Sequence, residues 1–209
     1  MKLCLIRHGL SKANVDETVY LTVKDHDIEL TDIGQEQALL AGKNLSKELS
    51  GTKGKTFVFV SPYKRTRQTW AGIKSALCPI TFSEQENPLL REQEYKFFAD
   101  LEDMKTRKEN RAKWGPFWYR YKNAEAATDV HQRVTVFWNY LTNQYLLGHI
   151  KEEDTVVIVT HEVVIRMFTM VMESLSHENA KVDVGNCDIK VCDLSKMQYK
   201  SSHCIKIKK

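Results

Sequence analysis

The run TVVIVT at residues 155 to 160 places four branched apolar side chains in succession, with no polar position between them. A strand built from it has no face to offer to water, so it must be covered on both sides. KLCLI (2 to 6) and TFVFV (56 to 60) are of the same kind. Between and after these runs the period changes to that of helices. Residues 30 to 49 predict a helix with Thr31 as N-cap and with Ile33, Ala38, Leu39, Ala41, Leu45 and Leu49 on its apolar side. Pro62 is expected in the first turn of a helix running through Trp70, Ile73 and Leu77. ITF (80 to 82) reads as a short strand. Residues of about 99 to 112 predict a polar helix, and 125 to 147 one with Val130, Val134, Phe137 and Leu141 on one side. A helix over 163 to 175 follows, then edge strands over 188 to 194 and near 198 to 207. This alternation argues an α/β chain with a largely parallel central sheet.

Composition narrows the function classes. A chain of 209 residues with 42% apolar content can bury one sizeable core, and no repeat or linker divides it, so one globular domain is expected over 1 to 209. No apolar run reaches the roughly 18 to 20 residues of a membrane span, and LCLI is too short for a signal peptide. A cytoplasmic location without a membrane partner is the expectation. Five cysteines without a CxxC pair predict reduced thiols rather than a disulfide framework or zinc site. The net charge of +4 is too small to imply nucleic-acid binding and is compatible with an anionic substrate.

Ligands of open α/β sheets bind beyond the carboxyl ends of the strands. KLCLI ends in Arg7-His8, TFVFV in Ser61 with Arg65 one helical turn on, and TVVIVT in His161. Any one of these has an ordinary structural reading. Together they bring two arginines and two histidines, distant in sequence, to one rim.

The blocks Arg7-His8-Gly9-x-Ser11-x-x-Asn14, Leu30-Thr31-x-x-Gly34, Ser61-Pro62-x-x-Arg65-Thr66-x-Gln68-Thr69, Leu90-x-Glu92 and Thr160-His161 occur in this order. The set resembles the histidine phosphatase superfamily, also called phosphoglycerate mutase-like, and within it a small eukaryotic-type branch. The resemblance implies a three-layer α/β/α sandwich, with a helical and loop cap around 97 to 125. It also implies His8 as a nucleophile forming a phosphohistidine, with Arg7, Arg65 and His161 clamping the phosphoryl oxygens. Asn14 and Ser11 would add neutral donors. Glu92 would protonate the leaving oxygen and then activate water. Glu94, Lys96 and Glu17 are candidates for the same rim, with solvated loop charges as the alternative. No metal or other cofactor is implied, and the chain shows no carboxylate cluster with metal-ligand spacing.

The chain departs from the family pattern at Leu10, at Lys96, around Glu125, where Ala124 and Ala126 flank it, and at Glu162. Glu162 follows His161 where glycine is usual, and its carboxylate would oppose a phosphate dianion unless it turned outward or met a cation. If it faces the pocket mouth, it favours a substrate carrying an ammonium group. Phosphoserine is then the expected substrate, with a rim cation such as Lys96 on its carboxylate. A phosphoglycerate mutase is the alternative, but the paired-arginine motif that mutases resemble is missing from the sequence. A non-catalytic phosphate-binding protein is a third reading. The basic and aromatic stretch 105 to 122 raises a nucleic-acid module as a fourth. We read that stretch instead as a cap, with Trp114, Phe117, Trp118 and Tyr119 partly packed against the domain. An exposed edge strand leaves room for a homodimer.

Overall fold

A computed structural model describes residues 1–77, 81–95, 98–180 and 182–207. In chain order its principal elements are β1 (Lys2–Arg7), α1 (Lys12–Val15), α2 (Asp32–Leu49), β2 (Thr56–Val60), α3 (Lys64–Ser75), β3 (Phe82–Glu86), α4 (Leu101–Trp114), α5 (Ala127–Leu146), β4 (Thr155–Thr160), α6 (Glu162–Glu173), β5 (Ile189–Ser195) and β6 (Gln198–Ile205).

The six strands form one sheet in the order β3-β2-β4-β1-β5-β6. Pairings β3-β2, β2-β4 and β4-β1 are parallel, and β1-β5 and β5-β6 are antiparallel. Every residue of β4 is buried, as its sequence demands. Alternate strand residues feed opposite faces. Leu3, Leu5, Val156 and Ile158 pack with Val130, Val134, Phe137 and Leu141 of α5 and with α6, whereas Cys4, Ile6, Val157 and Val159 pack with Ala38, Ala41 and Leu45 of α2 and Trp70 and Ile73 of α3. The result is a three-layer α/β/α sandwich.

Several boundaries differ from expectation. The Thr31 cap is present, its hydroxyl accepting from Gly34 N at 3.0 Å. Ile33 and Leu39, however, are exposed, because the face of α2 that meets the sheet and α3 is lined by Gly34, Gln37, Ala38, Ala41, Gly42, Leu45 and Leu49. Pro62 precedes α3, whose N-cap is Tyr63. The short strand runs over Phe82–Glu86, sharing only Phe82 with ITF, of which Ile80 lies outside the described residues. Strand β5 is interior, since β6 folds back beside it across Lys196 and Met197, both at positive φ, leaving β6 and β3 at the edges. Trp114 and Trp118 are exposed. Phe117 and Tyr119 are partly buried as expected, and the segment packs further through Phe98, Met104 and Tyr121.

Sheet register fixes the site. Arg7 pairs with Thr160 and Val60 with Val159, so the residues following three parallel strands emerge side by side. His8 N donates to Thr160 O at 2.9 Å and Ser61 N to Val159 O at 3.0 Å, carrying the ladder one residue past the strand ends.

Candidate active site

His8 lies at the centre, 4% exposed. Its Nδ1 is 2.8 Å from Gly9 O. A carbonyl oxygen can only accept, so Nδ1 carries the proton and Nε2 is left with its lone pair. Burial, then the Arg65 charge, hold the ring well below its usual pKa and therefore neutral. The turn bearing His8 is set by close backbone contact. A Cβ on Gly34 would lie 2.2 Å from Leu10 O and one on Gly9 2.5 Å from Gly34 O, so the two motif glycines let the strand-end turn and the start of α2 touch. Gly9 N donates to Thr69 Oγ1 at 3.0 Å, Leu10 N to Gln37 Oε1 at 2.9 Å and Leu30 N to Gln68 Oε1 at 2.8 Å.

The expected clamp groups surround His8. His161 is fully buried, its ring centroid 5.3 Å from that of His8. Its Nε2 shares a 2.8 Å hydrogen bond with Ser61 Oγ, and its buried Nδ1 has no hydrogen-bond partner among the described residues. Burial and the neighbouring Arg65 lower its pKa well below the usual value. Arg65 is 2% exposed, its guanidinium donating to Asp25 O at 2.7 Å and Asp25 Oδ1 at 2.8 Å and lying 5.0 Å from the centre of the Tyr63 ring. Arg7 donates to Val184 O at 3.0 Å, while its Nε is buried without a partner among the described residues. Asn14 Oδ1 accepts from Ser11 N, Ser11 Oγ and Asn186 Nδ2. That arrangement fixes the amide and ties the turn after β1 to the loop before β5, where Asn186 also donates to His8 O at 3.1 Å.

Glu92 is 8% exposed. Oε1 accepts from Gln93 N at 2.9 Å, and Oε2 is 3.8 Å from His161 Nδ1. Burial pushes its carboxyl up to about 7, against the opposing pull of Arg65. Glu92 is thus a carboxylic acid able to give a proton near neutral pH. Its loop is held by a buried carboxylate. Glu125 accepts from Arg91, Arg133 and Glu94 N, while Arg133 also donates to Leu89 O at 2.7 Å and Glu92 O at 3.1 Å.

Glu162 meets a cation, its Oε2 standing 2.7 Å from Arg7 Nη1 with about half of its side chain exposed. Lys96 lies outside the described residues. Glu17 pairs with Lys108 of α4. Sequence reasoning missed Asp25 and the roles of Asn186 and Arg133. Asp25 and Arg133 carry no local signal, since each matters through a partner tens of residues away.

Among the described residues no helix is long and apolar enough to cross a membrane. Comparison with known proteins agrees with the geometry. Residues 3–204 match the histidine phosphatase superfamily (branch 1). A phosphoglycerate mutase-like protein of Arabidopsis thaliana is 34% identical over 204 residues, covering 92% of this chain, which in turn spans 65% of that relative's length. A broad-range acid phosphatase of Saccharomyces cerevisiae is 24% identical over 286 residues, covering 92% of this chain and 85% of its own. A mycobacterial glucosyl-3-phosphoglycerate phosphatase shares the fold, with a TM-score of 0.73, 18% identity and coverage of 95% and 96% of the two chains. The fold, the ordered motif blocks and their convergence on one rim have the same explanation: the chain belongs to the histidine phosphatase superfamily.

Proposed function

We propose that the protein is a metal-independent phosphomonoesterase acting through a phosphohistidine on His8. The observation that carries this reading is a neutral histidine with a bare Nε2 beside two arginines and a protonated carboxyl group. Nε2 attacks phosphorus as the ester P–O bond breaks, and the Glu92 proton goes to the departing alkoxide. Arg7, Arg65 and His161, with Asn14 as neutral donor, take up charge on the equatorial oxygens. Glu92, now a carboxylate, draws a proton from water, which attacks phosphorus and releases phosphate and neutral His8. The buried, unpartnered Arg7 Nε and His161 Nδ1 support an anion at this point.

Hydrolysis is favoured over mutase transfer by the missing arginine pair in the sequence. Small phosphorylated metabolites are the substrate class. Phosphoserine was the expectation from a Glu162 carboxylate free to meet an ammonium group. With Glu162 on Arg7, that preference would rest on whichever groups of the cap meet the rest of the substrate.

His8→Ala should abolish turnover and the acid-labile phosphoenzyme trapped by rapid quench with labelled substrate, while thermal unfolding stays near wild type. Retention of most of the activity would overturn the assignment.

A further inference from the structure

Beneath α4 lies a cavity of about 530 Å³ walled by Tyr20, Tyr95, Phe98, Met104, Tyr121 and Arg111. That volume falls within the range of sites that enclose drug-sized ligands and is large for a three-carbon phosphoester. It shares two lining residues with a hollow beside the catalytic rim. Tyr20 and Tyr95 also line a smaller hollow of about 210 Å³ together with Asp25 and Tyr63. Asp25 holds Arg65, and the Tyr63 ring centroid is 5.2 Å from that of His161. The Glu92 charge bears on the hydroxyls of both Tyr20 and Tyr95. Tyr20 and Tyr95 thus lie between the catalytic rim and the cavity, on the side toward which a leaving group protonated by Glu92 would extend.

Two cations of α4, Lys108 and Arg111, line the cavity, as does the carboxylate of Glu17. Lys108 is paired with Glu17, and Arg107 with Asp103 at 2.7 Å. Arg111 has no hydrogen-bond or ion-pair partner among the described residues, and its Nε is buried. Its charge is felt by Tyr95 and Tyr121, both deep in the cavity wall. An unpaired guanidinium facing aromatic walls suits an anion at the end of an apolar body.

We propose that the substrate is a phosphomonoester whose leaving group has a ring-sized apolar body and a second anionic group, the body seated among the tyrosines and the anion on Arg111. This rests on the phosphatase reading and specifies its substrate class.

The test uses three esters with the same kind of primary alkoxide leaving group: ethyl phosphate, phenylpropyl phosphate and (para-carboxyphenyl)propyl phosphate. We expect kcat/KM to rise about tenfold with the ring and about tenfold again with the carboxylate, mainly through KM, on the scale of one buried ring and one charge-assisted hydrogen bond. Arg111→Met should remove the carboxylate increment and keep the ring increment. Equal rates across the series, or a carboxylate increment that survives Arg111→Met, would overturn the proposal. Calorimetric binding of the same esters to His8→Ala reads the cavity without turnover. If wild type hydrolyses none of them while the variant binds them in the expected order, the phosphatase reading fails and the cavity assignment stands. A flat order of binding removes the assignment itself.

Discussion

Glu92 keeps its proton near neutral pH because burial costs its charged form more than Arg65 returns, and the same burial keeps His8 neutral well into the acidic range. Activity on alkyl phosphates should therefore hold at mildly acidic pH and fall as pH rises through about 7, where the acid is lost. Glu92→Gln should cost on the order of 10²- to 10⁴-fold on alkyl phosphates and much less on activated aryl phosphates, which leave without a proton. Equal losses would remove Glu92 from this role. The same shift bears on stability. The folded pKa of about 7 lies above the ordinary 4.5, so the stabilising contribution is full below 4.5 and disappears as pH rises through about 7. Unfolding temperature should accordingly be higher for Glu92→Gln than for wild type on the alkaline side and not on the acidic side. Glu162 holds Arg7 in an ion pair that a phosphate bound as proposed would have to share. A half-exposed pair is worth at most about 1 kcal/mol, so Glu162→Gly should tighten competitive inhibition by inorganic phosphate by up to about fivefold. An unchanged inhibition constant would show that Arg7 binds phosphate equally well with its partner in place.

At the level of elements, the loop from Leu89 to Glu94 is held to α5 largely by charge-assisted hydrogen bonds. Arg133 projects from α5 to two carbonyls of this loop, and Glu125, just before α5, joins Arg133 to Arg91. Glu125 and Arg133 are both nine-tenths buried. Glu125→Ala leaves Arg133 buried without its carboxylate, which should cost about 3 kcal/mol in denaturant unfolding. It should also lower kcat, because Glu92 sits on the released loop. The double variant with Arg133→Met should recover part of the stability without recovering kcat, and strictly additive losses would show that the two groups act independently.

Across the whole molecule, the parallel order β2-β4-β1 delivers Arg7 from β1, Arg65 from α3 and His161 from the end of β4 to one point. The sheet topology thus brings two guanidinium charges and a neutral histidine to one rim, which is the charge the proposed phosphoryl transfer calls for. Turnover should therefore be unchanged in excess chelator, and a strict requirement for added magnesium would contradict the mechanism. The two faces of the sheet divide the work of stability, α5 and α6 on one and α2 and α3 on the other, while the rim stays clear for chemistry.

By itself the sequence determined β1, β2 and β4, the Thr31 cap and the convergence of Arg7, His8, Arg65 and His161, because periodicity, caps and strand ends act over a few residues or follow from parallel topology. It did not determine which side of α2 would be buried, since Ile33 and Leu39 are as apolar as the residues chosen and only the approach of α3 decides. Nor did it place β5 inside the sheet or leave Trp114 and Trp118 in solvent. At the site, the tertiary structure alone set the direction of Glu162, the proton on Glu92 and the pairing of Arg65 with Asp25. Each of these is a balance between desolvation and a charge from a distant segment, and that balance exists only once the segments have packed.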